Sequence, residues 1–178
     1  MPRIFGILLF AAGLAAIFSS CNEPRKESPA SEEPPGRLRE KLIYANREIM
    51  HNEKNEINKY INSHSFQMDS TGTGLRYMIY FRTNGKKTSA GKKVSVAFSL
   101  SLLDGTKCSS AGKEKPFVFV IGHGSSTRGM EEGVLLMKEG EKARLIVPAH
   151  LGYGLLGDGG KVTPDATLLY DVELLHVE

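Results

Sequence analysis

The sequence predicts an α+β domain, an antiparallel sheet wrapped around one short helix, with a helical extension on its N-terminal side. Three observations carry that expectation. Apolar and polar residues alternate with a period of two in several strand-length segments between Leu75 and Val177. Asn84-Gly85 and Asp104-Gly105 punctuate them as turn dipeptides. A single short helical pattern, Gly129 to Met137, interrupts the strands, and strands meeting one helix give an α+β architecture.

In chain order, Pro2-Arg3 precedes an apolar run from Ile4 to Phe18, followed by Ser19-Ser20-Cys21. The run falls short of the ~20 apolar residues that span a bilayer, and its flanks suit a signal peptide over residues 1–20. Small residues directly before a cysteine resemble a bacterial lipobox, which implies lipid on Cys21 and Cys21 as the first residue of the mature chain. Ordinary cleavage nearby would instead leave Cys21 a free thiol. Two or more acyl chains anchor stably where one binds marginally. The lipobox reading therefore implies a membrane partner and an envelope location, on the periplasmic side of the inner or outer membrane. Residues 21–36 read as a tether, because Pro24, Pro29, Pro34 and Pro35 lie among Glu, Lys and Ser that bury little. In polyproline II, at ~3.1 Å per residue, it would reach about 45 Å.

From Arg37 to about His64 the spacing turns helical, with Leu38, Leu42, Ala45 and Ile49 on one stripe and Ile57, Tyr60 and Ile61 on a related face. One helix or two, broken near His51-Asn52, both fit. The narrow stripe suits packing on the domain, a stiff stalk, or pairing of two copies. Thr71-Gly-Thr-Gly74 closes the extension, assigned to 37–73, and the sheet domain occupies 74–178. Its first strand sets Leu75, Tyr77, Ile79 and Phe81 against Arg76, Met78, Tyr80 and Arg82. Val94, Val96, Phe98, Leu100 and Leu102 form the inward face of the next. Phe117, Phe119 and Ile121 mark a third, Gly140 reads as a C-cap signal after the helix, and Ala143–Val147 and Ala166–Val177 complete the sheet.

Composition narrows the chemistry. The formal net charge is +3, with Lys and Arg dispersed among Asp and Glu, so nothing supports a nucleic-acid partner. With lipid on Cys21, Cys108 has no partner for an intramolecular disulfide, and a half-buried strand thiol is expected there. The histidines lack H-E-x-x-H or other short ligand spacing, so no metal or cofactor is expected. Gly157-Asp-Gly-Gly-Lys161 is not a phosphate loop, since Leu155 and Val162 stand where Gly and Ser or Thr are required. It reads as a hairpin tip. Ser125 and Ser126 sit in no G-x-S-x-G arrangement.

Leu102-Leu-Asp-Gly-Thr106, Pro116-Phe-Val-Phe-Val-Ile-Gly122, Arg128-Gly-Met-Glu-Glu-Gly133, Met137-Lys-Glu-Gly-Glu-Lys142, His150-Leu-Gly-Tyr-Gly154 and Asp171-Val-Glu-Leu-Leu175, in that order, resemble an FKBP-type peptidyl-prolyl isomerase domain. Gly74-Leu-Arg-Tyr77 resembles the first strand of its bacterial lipoprotein members. Tether, extension and domain together are most similar to the gliding-motility-associated isomerase lipoproteins of Bacteroidetes. The resemblance implies proline-containing polypeptides as substrates and a catalytic pair, Tyr153 donating its hydroxyl to the substrate carbonyl and Phe117 walling the proline with Phe98, Val162 and Tyr170. It places Cys108, Ser109, Ser126, Thr127 and Met130 at the remaining substrate-binding positions. It also implies folding assistance to envelope proteins, and some relatives form homodimers through the helical region corresponding to 37–64.

Rotation about an X-Pro bond meets a barrier of ~20 kcal/mol. The twisted transition state loses amide charge separation, so an apolar, water-poor cavity favours it without nucleophile or metal. A thousandfold acceleration needs about 4 kcal/mol of differential stabilisation. Cys108 and Ser109 depart from the family's aromatic and acidic residues, Ser126 and Thr127 from its apolar pair, and Met130 from its large floor aromatic. The thiol and hydroxyl exchanges remove apolar area worth ~25 cal/mol per Å², and those at Cys108 and Ser109 predict weak macrolide inhibition. They leave open a rival reading, a non-catalytic peptide-binding or chaperone module.

Overall fold

The structure, a computed structural model, describes residues 35–178. The expected signal peptide, the expected lipidation of Cys21 and the expected tether up to Pro34 fall outside the described residues. Helix α1 runs Pro35–Ser63 without interruption, so the tether assigned to 21–36 overran the helix start. Proline fits the first helical position because the N–H it lacks has no intrahelical partner there. The chain divides into two compact units between Glu40 and Lys41. Within the second unit, Leu42, Ile43, Ile49 and Met50 stay exposed while Ile57 is buried. Within this unit the C-terminal part of α1 packs against the sheet domain through Ile57.

After α1 come β1 (Asp69–Ser70), β2 (Arg76–Phe81), β3 (Lys93–Leu102), β4 (Lys107–Ala111), β5 (Phe117–Val120), α2 (Arg128–Leu135), β6 (Lys142–Val147) and β7 (Leu168–Val177). The sheet is antiparallel, in the order β1-β2-β6-β7-β3-β4. Strand β3 is shared along its free edge, Lys93–Val96 pairing with β5 and Phe98–Ser101 with β4. Asp104-Gly105 makes the β3–β4 turn, with Gly105 at φ +90° and its N–H donating to the Leu102 carbonyl at 3.0 Å.

Two sequence expectations change. Leu75 is buried and Tyr77 and Ile79 are half-buried, but a register shift between Ile79 and Phe81 turns Phe81 outward. Its ring lies under Lys142, whose Nζ is 5.9 Å from the centroid. Helix α2 ends earlier than expected, with Leu136 as its cap donating to the Gly133 carbonyl. Gly140, at φ +83°, instead makes the turn into β6, and its N–H donates to Leu174 O at 2.7 Å.

The sheet and α2 enclose one core that includes Val96, Leu100, Phe119, Met130, Val134, Leu145, Val147 and Leu174. Gly129 and Gly133, one helical turn apart, let α2 approach β6 closely. A Cβ at Gly129 would sit 2.3 Å from Val147 Cγ1, and one at Gly133 would sit 2.3 Å from Leu145 Cδ1. On an open helix surface Gly→Ala stabilises by roughly 0.5–1 kcal/mol. Here overpacking reverses the sign, and Gly133→Ala is expected to cost about 1–3 kcal/mol, read as a lower midpoint in chemical denaturation.

Candidate functional site

An open cleft of about 960 Å³ lies between the divided edge of β3, the start of α2 and the chain after β6. Phe98 points into it from β3, where it pairs with Val172 of β7 on one side and Ala111 of β4 on the other. Phe117 enters from the first residue of β5, opposite Val96. The Phe98 and Phe117 rings meet edge-on at 6.0 Å and 74°, and Phe98 and Tyr170 are tilted at 5.8 Å and 56°. Phe119, in the core, stacks under Phe117 at 5.3 Å. Such contacts fix ring orientation beyond what burial alone does.

Met130 closes the floor at 1% exposure. Ser126, Thr127 and Tyr153 bring hydroxyl groups to the same cleft. Thr127 is also the N-cap of α2, its Oγ1 accepting from the Met130 N–H at 3.3 Å and sharing a 3.4 Å hydrogen bond with the Tyr170 hydroxyl. Glu131 Oε2 accepts from the Gly122 N–H at 2.8 Å, tying α2 to the loop that delivers Ser126. Tyr153 follows the 3-10 turn Ala149–Leu151 and remains 39% exposed.

Burial pushes the Tyr170 phenol well above its ordinary range; the Thr127 hydroxyl opposes the shift and neighbouring Tyr153 reinforces it. Tyr170 is therefore a neutral wall. The Cys108 thiol is also raised, chiefly by burial and further by Asp158, with Lys161 opposing. Among the described residues no three metal-ligating side chains converge. The arrangement suits a compact apolar ring bound against aromatic walls, with a carbonyl directed toward hydroxyl donors at the rim.

Residues 84–175 match the family model of the FKBP-type peptidyl-prolyl cis-trans isomerase. The chain belongs to the FKBP-type peptidyl-prolyl cis-trans isomerase family. It is 43% identical over 94 residues to the FK506-binding protein of Neisseria meningitidis serogroup C, covering 52% of this chain and 86% of that one. It is 46% identical over 89 residues to the peptidyl-prolyl cis-trans isomerase Fkbp12 of Drosophila melanogaster, covering 49% and 82% respectively. The crystal structure of AtFKBP13 is similar with a TM-score of 0.59 at 25% identity, over 64% of this chain and 100% of that chain.

Of the positions inferred from the FKBP resemblance, Phe98, Ser109, Phe117, Ser126, Thr127, Met130, Tyr153 and Tyr170 come together around the cleft. Cys108 and Val162 belong to the core that also holds Tyr170. Cys108 packs against the core, its Sγ 3.5 Å from the Thr106 carbonyl. Val162 is 3% exposed and joins the core because Asp158 closes the preceding loop, accepting from the Gly160 and Val162 N–H groups at 2.8 Å each. Leu100, the segment Ser110–Gly112 and Lys115-Pro116 also line the FKBP cleft and were not singled out from sequence. Leu100 shares the alternating face of Phe98, a signal that was present. The β4–β5 connection carries no periodicity.

The raised thiol has a direct test. In a Cys21→Ser chain, Cys108 should be alkylated by iodoacetamide at neutral pH more slowly than a free cysteine peptide. The rate should climb only above the ordinary thiol range, as followed by intact mass.

Proposed function

We propose that this chain catalyses cis-trans isomerisation of X-Pro bonds in proteins of the cell envelope, held at the membrane by lipid on Cys21. The carrying observation is the convergence of Phe98, Phe117 and Tyr170 over Met130, with the Tyr153 hydroxyl at the open rim. The proline ring displaces water from the aromatic walls, and the bond leaves its plane in surroundings that do not solvate the planar dipole. Tyr153 donates to the substrate carbonyl as conjugation is lost. One neutral hydrogen bond supplies about 0.5–1.5 kcal/mol, so desolvation by the walls carries most of the acceleration.

The anchor is supported by Ser19-Ser20-Cys21 after the apolar run, and the proline-rich segment behind it supports a tethered domain. This organisation is similar to the gliding-motility-associated lipoproteins. The same reading includes a homodimer through 37–64, supported by the exposed Leu42, Ile43, Ile49 and Met50. Sedimentation equilibrium of a Leu42→Glu, Ile49→Glu double variant should then show monomer where the parent shows dimer.

A second reading, a peptide-binding or chaperone module without catalysis, is favoured by the hydroxyls of Ser109, Ser126 and Thr127 in the cleft. Chymotrypsin-coupled isomerisation of short X-Pro peptides separates the two. With Cys21→Ser as parent, Phe117→Ala should lower kcat/KM by roughly tenfold or more, matching loss of a half-buried aromatic wall. Tyr153→Phe should lower it a few-fold, matching one hydrogen bond. A folded parent inactive across residues preceding proline would leave the binding module. Cys21→Ser should also move the protein from the membrane to the soluble fraction of cells; retention in the membrane would remove the lipid anchor.

A further inference from the structure

The α1 extension contributes one polar contact that neither the fold nor the cleft chemistry accounts for. Glu53 lies near the middle of α1, and its Oε1 accepts from the Ala149 N–H at 2.7 Å and from the Thr167 hydroxyl at 2.8 Å. Those donors flank the segment that presents Tyr153. Ala149 opens the 3-10 turn that Tyr153 follows, and Thr167 directly precedes β7, which carries Tyr170.

Between the donors the chain is tightly built. The Leu151 and Gly152 N–H groups donate to Pro148 O at 2.9 and 3.1 Å, and Gly152 also donates to Ala149 O at 2.9 Å. A Cβ at Gly152 would lie 2.8 Å from Leu168 Cδ1, so the turn sits directly on β7. His150 Nε2 donates to the Thr73 carbonyl at 3.0 Å, and Thr73 Oγ1 donates to the Glu132 carboxylate of α2 at 2.8 Å. The turn is thus held from α1 and from α2. Charge-assisted hydrogen bonds of this kind are stronger than neutral ones and orient what they hold.

We infer that Glu53 is a positioning residue for the cleft: through Ala149 and Thr167 it fixes the turn from which Tyr153 reaches the substrate. The inference rests on the isomerase reading for its kinetic consequence. Its structural content, restraint of the Ala149–Tyr153 turn by α1, is measurable without turnover. The extension is on this account part of the working site as well as a connection to the tether. Glu53 touches no substrate and acts through the turn.

The test uses the full chain in detergent micelles with Glu53→Ala, Glu53→Gln and Tyr153→Phe, singly and with Glu53→Ala and Tyr153→Phe combined. Amide hydrogen exchange at Ala149, Leu151 and Gly152 should quicken in Glu53→Ala and stay near wild type in Glu53→Gln, whose side-chain oxygen can accept both bonds. Prolyl-peptide kcat/KM should fall roughly fivefold in Glu53→Ala, a change matching one net hydrogen bond, and less than twofold in Glu53→Gln. In the Tyr153→Phe background, Glu53→Ala should add little, because its effect runs through that side chain.

Equal losses in both backgrounds would overturn the inference, as would unchanged exchange or a Glu53→Gln variant as impaired as Glu53→Ala. Should Glu53→Ala fail to fold, Thr167→Val removes one donor and leaves α1 intact, and it must reproduce the faster exchange. An inactive wild-type chain would defeat the isomerase reading while exchange still decides whether Glu53 holds the turn.

Discussion

The cleft depends on how closely α2 can lie on β6. Gly129 and Gly133 remove the side chains that would otherwise hold helix and strand apart, and Val147 and Leu145 fill that space from the sheet. At the other end of the helix the buried Thr88 hydroxyl shares its hydrogen between the Val134 carbonyl in the last turn and the Met137 carbonyl just beyond it, at 3.0 and 3.1 Å. With both ends fixed, Met130 falls at the floor of the cleft. Thr127 and Ser126, which enter the helix, fall at its rim. Helix geometry therefore sets the distance between floor and walls.

The polar content of the cleft has two origins. Thr127 is committed, since its oxygen caps α2 and meets the Tyr170 hydroxyl, so it adds less free hydration than an unpaired hydroxyl would. Ser109 and Ser126 have no such structural duty and make the cleft edge polar. The walls are unaffected by this difference: Phe98, Phe117 and Tyr170 orient one another by ring contact. An apolar ring can dock on them while solvent remains at the rim.

Much of this was legible in the sequence because the signals were local. Alternation in Val94–Leu102 gave β3, Asp104-Gly105 gave its turn, and the ordered motifs gave the family and most of the cleft residues. The misplacements came from long-range geometry. Phe81 alternates correctly but follows a register shift, and Gly140 has the residue type of a cap but serves a later turn. Glu53 gave no sequence signal, because its partners lie 96 and 114 residues away. Helical periodicity identifies apolar faces and is silent about a polar anchor.

The topology bears on how the protein itself is made. Strand β3 takes its whole-length partner from β7, with Val94 opposite Val177 and Leu102 opposite Leu168, and β7 also completes β6. The core sheet cannot close until the segment up to Val177 is available, and closing so long a loop costs entropy before contacts repay it. During synthesis β2 through β6 must wait without their central strand, exposing apolar faces meant for the interior. A chain of this topology holds its sheet open until β7 has been made, and closes it only then.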